Sequence, residues 1–392
     1  VIRTFDAAER RARLAVRHGL AAGFDRPEDA AEALLALHAT DPASVFLAAA
    51  ARLRPPGAVP AVERALYANR TLVRMLGMRR TVFVVPVGLV PSVQAGCTDA
   101  VAVRLRTRLV QLLGTTAVGP DPGGWLREVE ESVHRALLAR GEATGAELST
   151  DEPRLRVQLH PPPDKAYARP QNITSLVIGL MAAEGLIVRG RPLGSWTSSQ
   201  YRWAPVEAWL PGGAPALDAQ AARTGLARRW LAAYGPATVA DLRWWTGWTA
   251  GETKRALAGL ETAEVGLDDG AAGLVLADDL EPVPAPEPRA ALLPALDPTA
   301  MGWAGRDWYL GEHGPALFDR TGNIGPTVWW DGRIIGGWAQ RADGEIAVRL
   351  LADAGAEATA AVDIAAGRLR AELGDVRVTP RFRTPLERDL SG

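Results

Sequence analysis

The alternation of apolar and polar positions divides the chain into short helical and strand-prone segments. Asp6 precedes an amphipathic stretch in which Ala8, Ala12, Leu14, Ala15 and Val16 mix with Arg10, Arg11, Arg13 and Arg17, predicting a helix that ends near Gly19. A second helix is expected from Pro27, a favoured first helical position, through acidic Glu28 and Asp29 to Leu37, stopping at His38. Asp41-Pro42 restarts a helix, with Asp41 as N-cap, through Phe46, Leu47 and Ala50. Only His38-Ala39-Thr40 separates the two. A further helix around Val62–Tyr67 leads to Leu72–Leu76, and Thr81–Val85 is a β-prone run closed by Pro86. Helices followed by a strand suggest a winged-helix unit.

The element order then recurs. After the turn-rich Gly119–Gly124, a long helix is expected from Trp125 to Arg140, with a turn within Gly141–Leu148. Ile173, Leu176, Val177, Leu180 and Met181 fall at helical spacing behind Asn172 as N-cap. Leu186–Arg189 and Gln200–Trp203 flank a turn at Pro192–Ser195 and read as a hairpin. A third round has helix Leu226–Ala233, a turn at Tyr234–Pro236, Thr238 capping Val239–Trp245, helix Ala250–Leu260, and a hairpin around Asp268–Ala272. This recurrence prompts a repeat reading that rests on element order rather than on sequence identity.

Glu281–Pro288 has the proline spacing of a stiff, extended linker. Beyond it, Asp331-Gly332 and Asp343-Gly344 each sit between β-prone flanks, the strongest short hairpin signal, and a helix is expected at Ala356–Leu373. The expected fold is mostly α with β. Tandem winged-helix units occupy residues 1–118, 119–212 and 213–280, and a small β-barrel-like domain occupies 281–392.

Composition narrows the chemistry. With 47% apolar and 23% charged residues over 392 positions, the chain is globular rather than disordered. A lone cysteine, Cys97, rules out an internal disulfide and any site built on two cysteines, and suggests a reducing, cytoplasmic setting. No apolar run reaches the roughly 18 residues of a membrane span, and no membrane partner is expected. Walker, GxGxxG-after-strand, HExxH and Cys/His metal spacings are missing, so neither cofactor nor metal is expected. The two lysines, Lys165 and Lys254, lie outside apolar runs and make Schiff-base chemistry a poor fit.

A net charge of -1 hides an asymmetry. Residues 51–110 hold ten arginines against Glu63 and Asp99, whereas 261–320 hold twelve acidic residues against Arg289, Arg306 and Arg320. The basic block fits a phosphate backbone or an acidic partner. Pairing of its arginines with remote carboxylates is the alternative. The expected recognition helix Ile173–Glu184 offers only Gln171 and Asn172, at its start, for base readout, so these units look structural rather than sequence-reading. Most of the thirteen tryptophans, Trp230, Trp244, Trp245 and Trp248 among them, suit packing better than base stacking.

Several strings, in order, resemble one family. Leu37-His38-Ala39-Thr40-Asp41-Pro42 is similar to the Leu-Gln-x-Gln-x-Pro motif of the winged-helix DNA glycosylases typified by AlkZ and YcaQ. Leu72–Thr81 resembles that family's Met-Arg-Gly-Thr segment, and similarity continues in Tyr201-Arg202-Trp203, Gly235–Leu242 and Trp330–Trp338. The resemblance implies tandem winged helices plus a C-terminal β-barrel around a concave surface for duplex DNA. It also implies monofunctional removal of alkylated purines, including bulky or crosslinked guanine adducts, by a monomer. The family's two glutamines are tied to the attacking water; here His38 and Thr40 replace them. His38 and Thr40 are therefore the candidate catalytic residues, with Asp41 secondary because the helix start already explains it. Alternatively His38 is a helix-end residue meeting free carbonyls. Arg70, Arg74, Arg79, Arg80 and Arg202 are the candidate DNA contacts, Arg79 and Arg80 as phosphate clamps or as surface ion pairs.

The substitutions cut two ways. His38 and Thr40 can hold or deprotonate a water near neutral pH. Their loss of both glutamines also fits a noncatalytic winged-helix protein that binds DNA or a small toxin, and a protein-binding scaffold is a third reading.

Overall fold

A computed structural model describes residues 2–160 and 170–392, and Lys165 falls outside them. One small plan occurs three times in it. The first copy runs through helix Pro27–Ala33, strand Leu37–His38, helix Pro42–Ala50, helix Ala58–Glu63 with its continuation Arg64–Ala68, and strands Leu72–Leu76 and Val82–Pro86. The second has helices Pro122–Arg140, Gly145–Asp151 and Thr174–Ala183 and strands Ile187–Pro192 and Tyr201–Pro205. The third has helices Ala219–Tyr234, Val239–Thr246 and Ala250–Ala258 and strands Thr262–Leu267 and Ala272–Leu276. In each copy a residue just before the second helix pairs with the last strand of the wing: His38 with Phe83, Ala143 with Trp203, and Ala237 with Leu274. This is winged-helix topology, with a short first strand lying against the hairpin.

The second helix of each copy starts on a side-chain cap. Asp41 accepts from the Ala43 N–H, while Thr144 and Thr238 form capping boxes with Glu147 and Asp241. Helix Ala7–Arg17 stands outside this plan. The residues ahead of it, Thr4–Phe5, pair in parallel with the third copy's strand Thr262–Leu267.

The structure corrects several local expectations. His38 does not end a helix; the helix stops at Ala33 and His38 lies in a strand. Leu72–Leu76, which carried no assigned element, is a strand antiparallel to Val82–Pro86. Asn172 pairs with Gln158 in a two-stranded ribbon, and helix Thr174–Ala183 starts from Ile173 without a side-chain cap.

The expected β-barrel is absent. Strands Ala290–Leu293, Thr327–Trp330, Arg333–Gln340 and Ile346–Leu350 form an open antiparallel sheet in chain order, whose first and last strands do not pair. Both Asp-Gly hairpins form in it. Each face has its own apolar cover, which removes the reason to close. Leu292, Val328, Trp330 and Trp338 share a core with Val362 and Leu369 of helix Gly355–Leu373. Leu293, Trp329 and Ile334 share another with Tyr309, Leu386 and Leu390.

Aromatic packing joins the copies. Trp230, Tyr234, Trp245 and Trp303 form a buried cluster between the third copy and the C-terminal region. Trp196, in the turn of the second wing, packs on Phe46 of the first copy with ring centroids 5.0 Å apart. No helix among the described residues is long and apolar enough to cross a membrane.

Candidate nucleic-acid interface

The segment from Leu37 to Pro42 is held from three sides. Its Ala39 N–H donates to the Val82 carbonyl (2.8 Å), and the Arg74 guanidinium reaches the Ala39 carbonyl (3.3 Å). Asp41 uses both carboxylate oxygens on main-chain donors, one on the Ala43 N–H (3.2 Å) and one on the Arg381 N–H (2.9 Å). Burial raises its pKa, and the two N–H donors oppose that rise.

His38 is 5% exposed, and its ring meets Phe83 at 4.8 Å between centroids. Burial, with a smaller contribution from the Arg79 cation, pushes its pKa down to about 3, so the imidazole is neutral at physiological pH. Its Nδ1 lies 3.5 Å from the Thr40 N–H, which fits Nδ1 as acceptor and leaves the ring proton on Nε2. The Thr40 hydroxyl accepts a long hydrogen bond from the Val82 N–H (3.4 Å) and is half-buried.

Ala39, Thr40 and Pro42 form one wall of a cavity of about 240 Å³. The second wing supplies the opposite wall through Arg189, Tyr201 and Trp203, and Arg381 adds a further cation. Arg189 lies over the Trp203 ring at 4.9 Å, and Arg74 over the Tyr201 ring at 5.0 Å. Burial, and next the neighbouring Arg74, lowers the Arg189 pKa to about 10, still far above neutral. His38 does not line this cavity.

A second cationic group gathers around Trp244. The tip of the first wing places Arg79 over the Trp244 ring at 4.2 Å, and Arg306 lies over that ring at 4.7 Å. Arg79 and Arg80 both adopt left-handed backbone (φ 52° and 58°), an uncommon state for non-glycine residues. Gly247 lets the tip approach, since a Cβ there would lie 3.3 Å from Arg79 main-chain atoms. Arg80 is exposed.

The other expected DNA contacts are spread out. Arg70 donates to the Ala208 carbonyl (2.9 Å), tying the first copy to the end of the second. Arg74 is 2% exposed and lies behind the cavity wall. Arg202 reaches Glu147 at 3.5 Å. Elsewhere in the basic block, Arg52, Arg54 and Arg106 pair with Asp297, Asp25, and Glu130 and Glu184. Among the described residues no group of three or more His, Cys, Asp or Glu is placed to hold a metal ion.

A family profile described as DNA glycosylase AlkZ-like matches residues 31–371. The chain belongs to the AlkZ-like family. Its fold is similar to that of Streptomyces sahachiroi DNA glycosylase AlkZ, with a TM-score of 0.70, 22% sequence identity, and coverage of 96% of this chain and 98% of that one. No curated protein matches the sequence. Within this AlkZ-like chain, Arg189, Arg306 and Arg381 escaped the sequence reading. Tyr201 and Trp203 stood in a family-like string without a role. The available signal was the pair of arginines around Phe382 in the C-terminal tail and the run Arg189-Gly190-Arg191 entering the second wing.

Proposed function

We propose that this AlkZ-like protein binds duplex DNA and hydrolyses the N-glycosidic bond of alkylated purines, bulky or crosslinked guanine adducts among them. The observation that carries the reading is the position of Thr40. It lies on the wall of an arginine-lined cavity, where the family resemblance puts a water-holding glutamine. An alkylated purine is a cationic leaving group, so the enzyme needs to place a water rather than supply a strong acid. Thr40 offers a hydroxyl for that water. His38, neutral and set back from the cavity, is a poor base for that water. Asp41, with both oxygens on main-chain N–H groups, holds the segment in place.

The test is release of 7-methylguanine from methylated duplex DNA, with DNA binding measured in parallel. Thr40→Ala is expected to slow release by about 10²-fold, the usual cost of a misplaced reactant, with binding unchanged. His38→Ala should slow it less. A wild-type protein that releases no base from methylated or bulkier adducts overturns the catalytic reading. Because His38 is already neutral, single-turnover release should show no inflection assignable to it between pH 5.5 and 8. A step near pH 6.5 that disappears in His38→Gln would contradict this assignment.

One observation favours a noncatalytic DNA-binding protein instead. The cavity beside Thr40 is walled by cations, which repel a cationic base. Firm, salt-sensitive DNA binding without base release from any adduct would select this second reading.

A further inference from the structure

We infer that the cavity beside Thr40 is a phosphodiester site, which seats one backbone phosphate of the DNA and leaves the purine outside. The inference rests on the DNA-binding reading above and fixes which part of the substrate enters.

Charge makes the first argument. Arg189 and Arg381 line the cavity, and Arg74 stands behind it against Tyr201. None of the three makes a carboxylate ion pair among the described residues. Arg74 and Arg381 reach the carbonyls of Ala39 and Thr40, and Arg189 lies on Trp203. Asp41 is the neighbouring carboxylate, and both its oxygens already accept main-chain N–H groups. Three guanidinium groups against one committed carboxylate leave an excess of positive charge around a small space. An anion is attracted there, and an alkylated, cationic purine is repelled.

Unmet polar groups make the second. The Tyr201 hydroxyl, on a residue that lines the cavity, is buried without a hydrogen-bond partner, as is the Nε of Arg74 behind the wall. Buried donors of this kind cost stability unless a ligand or solvent meets them. At about 240 Å³ the cavity has room for one phosphodiester group, and the exclusion of the purine rests on charge. A phosphate offers oxygens to planar guanidinium forks in charge-assisted bonds. The rigid seat of Arg189 on Trp203 holds one fork ready.

The test measures affinity for an undamaged duplex at several salt concentrations, using wild type, Arg189→Ala, Arg189→Lys and Arg381→Ala. Each phosphate contact contributes about 0.9 to the slope of log affinity against log salt. Arg189→Ala and Arg381→Ala should each lower that slope by about one and weaken binding several-fold, whereas Arg189→Lys keeps the slope. Arg381→Ala preserves the main-chain N–H that holds Asp41, so it tests the site even if Arg189→Ala fails to fold. Unchanged slopes in Arg381→Ala and in folded Arg189→Ala overturn the phosphate site and leave the glycosylase reading standing. A lowered slope in a protein that releases no base supports the site and removes the catalytic reading. A wild type that does not bind the duplex at low salt overturns both.

Discussion

Arg52→Leu is expected to lower the unfolding free energy by about 3–5 kcal/mol, because it leaves Asp297 charged and unpaired in the core. Both side chains are fully buried. All five N–H donors of Arg52 are used: on the His18 and Ala48 carbonyls (2.9 Å each), on the two Asp297 oxygens (2.8 and 2.7 Å), and on the Thr299 hydroxyl (2.8 Å). The Thr299 N–H also donates to Asp297 (2.9 Å). One guanidinium thereby fastens the end of helix Ala7–Arg17 and the end of helix Pro42–Ala50 to the connection between the first two strands of the C-terminal sheet. Helix Pro42–Ala50 is the helix that Asp41 caps, so the loss also loosens the candidate site. Urea unfolding of wild type, Arg52→Leu, Asp297→Leu and the double variant measures the effect. The double variant should recover part of the single losses, since an apolar pair leaves no buried charge. A cost below about 1 kcal/mol for both single variants would show the pair to be replaceable.

That ion pair joins residues 245 positions apart in the chain, and this kind of distance separates what was legible from what was not. The helix start at Asp41-Pro42 was legible because capping and proline act within one turn. So were both Asp-Gly hairpins, whose signal sits in the turn itself. The strand Leu37–His38 was not. Two residues carry no period, and its partner lies in Val82–Pro86. Leu72–Leu76 sets a buried Arg74 among apolar residues, so neither a strand nor a helix period stands out over its five positions. Barrel closure failed for a related reason: alternation in Leu292, Leu293, Trp329 and Trp330 marks two buried faces without saying what covers them. At the candidate site, the motif singled out His38 and Thr40, of which Thr40 lines the cavity. Arg189 and Arg381 were not singled out, because the first and second copies and the tail converge only in space.

The threefold plan gives the site segment its mechanical character. His38, Ala143 and Ala237 occupy equivalent positions, one short strand pairing before a capped helix. In the second and third copies this position is a buried alanine, serving only to close the sheet. In the first copy it holds an imidazole, and the wing of the second copy passes opposite the two residues after it. A structural joint repeated three times thus carries polar side chains in one copy, at the place where another wing converges on it.

Lowering the pH from 6 to 5 should destabilise the fold by about 2–3 kcal/mol through His18 and His38 alone. Burial is the main cause that pushes each down to about 3 from an ordinary 6.5, with Arg52 next for His18 and Arg79 next for His38. Their folded pKa values are depressed, so their neutral forms are favoured in the fold. The stability they contribute is full above about pH 6.5 and is lost as pH falls toward 3, where the unfolded chain binds protons that the folded chain refuses. Each histidine then contributes about 1.4 kcal/mol per pH unit. The network around His18 explains the refusal. Arg52 donates to the Thr299 hydroxyl, which can donate to His18 Nδ1 (3.0 Å), while Nε2 faces the Ala233 carbonyl (3.1 Å). A proton added at Nδ1 would confront a hydroxyl already oriented by the Arg52 cation. Urea unfolding at pH 7, 6 and 5 gives the slope, and His18 and His38 ring resonances should not titrate between pH 7.5 and 5. Titration of either ring near pH 6.5 in the folded protein would remove that histidine from the account and reduce the slope by half.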